Sequence, residues 1–157
     1  AYDPKSGLFV WLSARGNRQA GKTAGRLGVN GQIEIGVDGN LYCAHRLAWL
    51  YVHGSFPEKG IDHRDGVRAN NRIANLRPAS QAENLQNLRS ANKNSKSGLL
   101  GVSRHRKENR WVAQIRANGK KLYLGTFASA EEAHAAYLAA KLRLHPFQTI
   151  VTGAPIV

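Results

Sequence analysis

The residues Ser90-Ala-Asn-Lys-Asn-Ser-Lys-Ser97 offer no large apolar side chain that could anchor them to a core. They read as a linker, residues 91–97, in a chain of 157. What flanks it must fold as two small units, about 1–90 and about 98–157, and no internal repeat relates them. Each is long enough to close a core, and neither can lean on disulfides or a Cys-built zinc ribbon, because Cys43 is the only cysteine. Hydrophobic residues make up 42% of the chain, which excludes a disordered basic tail. The longest apolar run, Leu47 to Val52, falls far short of the roughly 18 residues a membrane helix needs. No charged-then-apolar leader and no Met opens the chain, so its start reads as trimmed, while the single cysteine fits a reducing cytoplasm.

Charge supplies the first functional constraint. The formal net charge is +13, and residues 96–157 carry 10 basic against 3 acidic residues, more than half of that excess. A soluble chain with such a surface is expected to bind a polyanion.

The first forty residues are Gly-rich and alternate in short segments, Leu8–Leu12, Gln32–Ile35 and Asn40–Cys43, with a hairpin signal at Val37-Asp-Gly-Asn40. A small antiparallel sheet is expected there, then a helix with Leu47, Leu50 and Tyr51 on one face and Gly54 as its stop. Gly16-Asn-Arg-Gln-Ala-Gly-Lys-Thr23 satisfies a phosphate-loop pattern, but the glycines after it disfavour the helix that motif requires. It reads instead as a mobile basic loop (Arg15, Arg18, Lys22, Arg26) able to touch DNA backbone.

The chemistry concentrates between Gly60 and Asn87. Ile61 is expected to end a short strand, Asp65-Gly66 to open a polar loop, and Asn75-Leu76-Arg77 to begin a second strand. Ser80 and Glu83 form a capping box for a helix with Leu85 and Leu88 facing the core. Within this strand, loop, strand, helix unit, His63 can take a proton from water near neutral pH. Asp62 offers a hard anionic oxygen suited to Mg²⁺, and Asn84 a carbonyl oxygen able to face the same loop. Asn87, one turn on, is the alternative to Asn84. Asp62 and His63 are neighbours and would diverge in a regular strand, so a strand end is needed for both to serve one site. His45 opens the preceding helix and reads as a capping or packing residue; His53, His134 and His145 receive no role.

Beyond the linker, Trp111, Ala113 and Ile115 alternate with Val112, Gln114 and Arg116, and Asn118-Gly119 marks a hairpin. Ser129 and Glu132 cap a helix whose stripe is Ala133, Ala136, Tyr137, Ala140 and Leu144. Its small alanines would let it pack closely on the apolar face and leave a basic face open, a surface suited to the major groove.

His45-Arg-Leu-Ala-Trp49, Ile61-Asp-His63, Asp65-Gly66, Asn70-Asn-Arg72, Asn75-Leu76 and Asn84 together resemble the HNH endonuclease family, in its phage and intron-encoded (homing) branch, over about residues 41–90. The resemblance implies a ββα-metal fold in which Asp62 and Asn84 bind one divalent ion, Mg²⁺ or Mn²⁺, His63 activates water, and Asn75 holds the His63 ring. Many members carry His where this chain has Asn84, and an amide carbonyl suits Mg²⁺ better than zinc. Gly101-Val102, Trp111-x-Ala-x-Ile115, Tyr123-Leu-Gly-Thr-Phe127 and Ala130-Glu-Glu-Ala-x-x-Ala-Tyr137 resemble the plant ethylene-response-factor type of DNA-binding domain, over about 96–150. That resemblance implies that Arg104, Arg106, Arg110, Gln114, Arg116, Lys121 and Tyr123 face DNA; Ser103 departs from the arginine-rich first strand of the plant domains.

The expected fold is thus α+β, a ββα-metal unit followed by a three-stranded antiparallel sheet packed on one helix. The expected activity is a metal-dependent DNA endonuclease acting on double-stranded DNA, in the cytoplasm of a bacterial or phage-infected cell, with no membrane or protein partner implied. Two rivals are a DNA-binding regulator with a degenerate nuclease unit, and an RNA-binding protein; the second would explain the charge but not Asp62, His63, Asn75 and Asn84.

Overall fold

The computed structural model describes residues 1–149; the end of the second expected unit, residues 150–157, lies outside them. Contacts divide the chain into Ala1–Ala82 and Glu83–Val157. The division falls within a helix, ahead of the polar stretch.

In the first unit, β1 (Tyr2–Asp3) pairs with β2 (Leu8–Phe9), and β3 (Arg26–Leu27), β4 (Ile33–Val37) and β5 (Asn40–Cys43) form an antiparallel sheet in that order. The β4–β5 hairpin turns through Asp38 and Gly39, both at positive φ (47° and 79°), as the Asp-Gly pair anticipates. The Gly16–Thr23 segment is turns and isolated bridges leading toward β3 rather than into a helix, so it has no phosphate-loop geometry. Helix α1 (Ala44–His53) follows β5 directly and ends at Gly54, whose left-handed φ of 76° lets its N–H reach the Leu50 carbonyl. The buried face of α1 is Ala44, His45 and Ala48, while Tyr51 is 60% exposed. The inward stripe is therefore rotated from the expected Leu47–Leu50–Tyr51 line, because two alanines permit the closest approach. Ala44 packs with Ala24 and Ile35, and Ala48 with Tyr2 and Leu76. Helix α1 thereby ties the β3–β5 sheet to a second ribbon, β6 (Gly60–His63) with β7 (Leu76–Ala79), joined by a polar loop and a 3-10 turn at Ile73–Asn75.

Helix α2 (Gln81–Gln86) begins directly after Ser80 and is only six residues long, with no buried residue. It stops before Leu88, so no two-turn apolar face forms: Leu85 is 55% and Leu88 43% exposed, contrary to their expected burial.

In the second unit, β8 (Val102–Arg104), β9 (Trp111–Ala117) and β10 (Lys120–Phe127) form an antiparallel sheet in the order β10-β9-β8, with α3 (Ala130–Leu144) packed on one face. The β9–β10 turn is Asn118-Gly119, with φ of 51° and 76°. The capping box forms as expected: Glu132 N–H donates to Ser129 Oγ, and Glu132 Oε2 accepts from the Ser129 N–H. Ala133, Tyr137 and Ala140 are buried against Val102, Ala113 and Ile115. The fit is tight at Gly101, at φ 73°, where an added Cβ would lie 1.9 Å from the Tyr137 ring. The stripe ends differently from the expected Leu144, which is 37% exposed. Lys141 is wholly buried instead, and its Nζ donates to the Leu88 carbonyl. The end of α2 and the residues after it fasten to the segment that follows α3 by further bonds: Gln86 Oε1 accepts from the Phe147 N–H at 3.2 Å, and Arg89 Nη2 donates to Thr149.

Candidate functional site

Pairing in the β6–β7 ribbon runs through both expected site residues rather than stopping at Ile61: Asp62 lies opposite Arg77 and His63 opposite Leu76. Both are nearly buried, and their side chains meet different partners. Arg77 donates to Asp62 Oδ2 from Nε (2.9 Å) and Nη2 (2.8 Å), a paired contact at the cross-strand position that a ribbon makes available. His63 Nε2 lies 3.2 Å from Asn71 Oδ1. A carboxamide oxygen only accepts, so Nε2 is the donating nitrogen of this contact. The His45 ring stands edge-on to His63, with centroids 5.1 Å apart. Burial, then the neighbouring His63 and Arg46, pushes His45 down to about 4, so it is neutral beside His63 at neutral pH; its Nδ1 has no hydrogen-bond partner.

Asn75 does not hold the His63 ring, the role that family resemblance implied for it. Its Nδ2 donates to Asp65 Oδ1 (2.9 Å) and the Asn70 carbonyl (2.8 Å), and its Oδ1 accepts from the Asp65 N–H (3.0 Å). The amide is consumed in fixing the loop that follows His63. Asp65 is the hub of that loop: burial alone would raise its pKa, but bonds from Asn70, Val67 and Asn75, with the His63 charge, bring it below the ordinary carboxylate value. The residue that meets the imidazole is Asn71, 2% exposed. The doubled Asn70-Asn71 was the only sequence signal for it, and nothing in a polar loop distinguishes a ring-holding Asn from a turn-forming one.

Asn84 lies on α2, in the second unit. Asn87 is 5% exposed, and its Oδ1 accepts from the Thr149 N–H (3.3 Å) and Oγ1 (2.8 Å). Among the described residues no group of three or more His, Cys, Asp or Glu side chains gathers to hold a metal. Taken singly, the Asp62 carboxylate and the Asn84 carbonyl are hard oxygens, the donor type that Mg²⁺ and Mn²⁺ take.

On the second unit's sheet, the face away from α3 carries Gln114 opposite Tyr123 and Arg116 opposite Lys121. Tyr123 is 64% exposed, its hydroxyl 2.6 Å from Thr126 Oγ1. Two cations directly opposed across strands cost stability, a cost that an anion on this face would relieve. Arg106 and Arg110 lie in the exposed β8–β9 loop, Arg110 donating to the Thr126 carbonyl at 3.3 Å. Arg104 departs from the expected placement: it shares the strand parity of buried Val102, pairs opposite Trp111, and holds its guanidinium 5.7 Å from that ring, at the rim of the helix-side face. His134 Nδ1 (2.9 Å from the Leu100 carbonyl) and His145 Nε2 (2.8 Å from that of Arg116) act as packing ties.

Comparison with known families places both units. The model of the HNH endonuclease family matches residues 42–86, and that of the AP2 domain matches residues 97–145. The chain carries an HNH segment followed by an AP2 domain. The HNH match takes in α1, β6, β7 and α2, and the AP2 match takes in β8 to β10 and α3; the β1–β2 hairpin precedes both. The HNH segment points to a nuclease and the AP2 domain to DNA binding. Protein 3.8 of Escherichia phage T7 is 37% identical over 79 residues, 49% of this chain and 64% of that protein, so the chain spans less than two thirds of this relative. No solved structure matches. Among the described residues no helix is long and apolar enough to cross a membrane.

Proposed function

We propose that the chain is a metal-dependent DNA endonuclease of two working parts, an HNH unit over 1–90 and a DNA-docking unit over 98–157 joined by 91–97. The observation that carries the reading is the buried His63 imidazole, with Nε2 on Asn71, next in the chain to the Arg77-oriented carboxylate of Asp62. Nδ1 takes the proton as water oxygen attacks phosphorus, and the bond from phosphorus to the leaving oxygen breaks. Asp62 and Asn84 would hold one Mg²⁺ or Mn²⁺, which when bound stabilises charge on the phosphate and leaving oxygen. Arg110, Gln114, Arg116, Lys121 and Tyr123 would meet duplex DNA, with Arg104 and Arg106 flanking them. Action inside a bacterial or phage-infected cell follows from the same reading.

The second reading, a DNA-binding regulator with a degenerate nuclease unit, is favoured by one contact: Arg77 already neutralises Asp62. Titrating Mn²⁺ into the DNA-free protein separates the two. The endonuclease reading expects binding that Asp62→Asn weakens at least tenfold, with loss of Mg²⁺-dependent nicking; no binding by either protein would support the regulator.

A further inference from the structure

We infer that Asn71, clamped by the β1–β2 hairpin that precedes the HNH match, is a positioning residue for the His63 base. The inference rests on the endonuclease reading for its kinetic consequence but not for its geometry.

Asn71 is held from both ends. Its Oδ1 faces His63 Nε2 at 3.2 Å, and its backbone carbonyl accepts from the Tyr2 hydroxyl at 2.7 Å. Tyr2 is itself 5% exposed and packs its ring on Phe9, with centroids 4.7 Å apart. Two residues beyond Asn71, the Ile73 N–H donates to the Pro4 carbonyl at 3.2 Å. At the hairpin turn, Gly7 sits at φ 76° against the Asn71–Arg72 peptide, where an added Cβ would come 2.4 Å from Arg72 N and 2.6 Å from Asn71 C. The hairpin therefore leaves the Asn71 backbone no room to retreat, and a fixed backbone with a buried carboxamide fixes where Oδ1 sits.

An imidazole can carry its proton on either nitrogen, and only the bond made by one nitrogen decides which lone pair is offered for chemistry. Asn71, by accepting from Nε2, favours the proton on that nitrogen. Neutral His45, edge-on at 5.1 Å, limits the ring's swing from another side. Segments that set the base thus include the N-terminal hairpin, which lies outside the family match. A merely structural Asn71 would leave the tautomer unaffected when replaced in a folded protein.

The test uses the full-length, metal-free protein labelled with ¹⁵N at histidine, recorded at a pH above which the His63 ring shifts no longer change. In the wild type the His63 resonances should show the Nε2–H tautomer. Asn71→Leu, similar in size but without an acceptor, should give a tautomer mixture, and Asn71→Asp should restore Nε2–H. In cleavage assays N71L should lower kcat about 10- to 100-fold, the scale of a misplaced catalytic group, with KM for DNA unchanged and partial recovery in N71D. Should N71L not fold, Tyr2→Phe carries the test, since it deletes only the hydroxyl: a shifted tautomer ratio and reduced kcat are expected. A folded N71L that keeps Nε2–H, or a Tyr2→Phe protein identical to wild type in tautomer and kcat, overturns the inference. A wild type with a fixed Nε2–H tautomer and no cleavage would remove the endonuclease reading and leave the positioning role standing.

Discussion

Replacing Arg77 by methionine should open the β6–β7 ribbon far more than removal of a surface charge would. Arg77 and Asp62 have side chains only 12% and 11% exposed, and Arg77 gives Asp62 Oδ2 two bonds of 2.9 and 2.8 Å. Removing one partner of such a pair leaves a carboxylate that water reaches poorly, and the cost is about 3 to 5 kcal/mol, against under about 1 kcal/mol for an exposed pair. Methionine keeps most of the arginine stem's packing, so lost volume contributes little. Amide hydrogen exchange of Gly60–His63 and Leu76–Arg77 reads this ribbon directly. It should accelerate by about two to nearly four decades at about 1.4 kcal/mol per decade. The double variant Arg77→Met with Asp62→Leu removes both charges and should recover most of the protection, because an apolar pair of similar volume escapes the desolvation cost. Exchange in Arg77→Met within tenfold of wild type, or a double variant no better than the single, would refute the reasoning that the pair is a buried, mutually dependent one.

Three other outcomes follow from the same geometry. Burial, with the neighbouring Arg89 charge, lowers the Lys141 pKa to about 8, so the folded second unit binds fewer protons than the unfolded chain above that pH. Its stability should rise from pH about 8 toward 10, and Lys141→Met should flatten that rise in urea melts followed by Trp111 fluorescence; an unchanged slope counts against it. His45, held near pKa 4 chiefly by burial, should cost the first unit stability as pH falls from about 6.5 toward 4, since the unfolded chain then takes the proton first. His45→Leu should blunt that loss, measured as exchange protection of α1. Arg116→Ala and Lys121→Ala should each reduce the salt slope of DNA binding by about 0.9 for every phosphate contact removed, with the AP2 fold retained; two unchanged slopes would place the docking face elsewhere.

Local chemistry made much of this legible in advance. Asp38-Gly39 and Asn118-Gly119 fixed two hairpins because few other residues tolerate positive φ in succession, and Ser129 with Glu132 fixed the start of α3. The AP2 sheet and its helix followed from strict alternation in β9. What stayed hidden was set by packing between distant segments. Helix α1 turned its alanines inward where bulk pointed to Leu50 and Tyr51. Lys141 took a core position that no hydropathy pattern assigns to lysine, because the Leu88 carbonyl was there to receive its Nζ. At the site, Asp62 and His63 were recognisable as chemistry-bearing residues, but their partners were not. Arg77 becomes a partner only through strand register, Asn71 only through the loop's path beneath the N-terminal hairpin, and Asn75 is displaced from the ring because Asp65 captures its amide.

The central claim is that His63 is the base of a metal-dependent DNA cut. Supercoiled plasmid incubated with wild-type protein and with His63→Ala, each with Mg²⁺ and with chelator, tests it most directly. The account predicts nicked or linear product from the wild type with Mg²⁺ alone, and a loss of at least about 100-fold in His63→Ala, the usual contribution of a general base, while both proteins still bind the plasmid. No product from a folded, DNA-binding wild type, or equal product from both proteins, would contradict it.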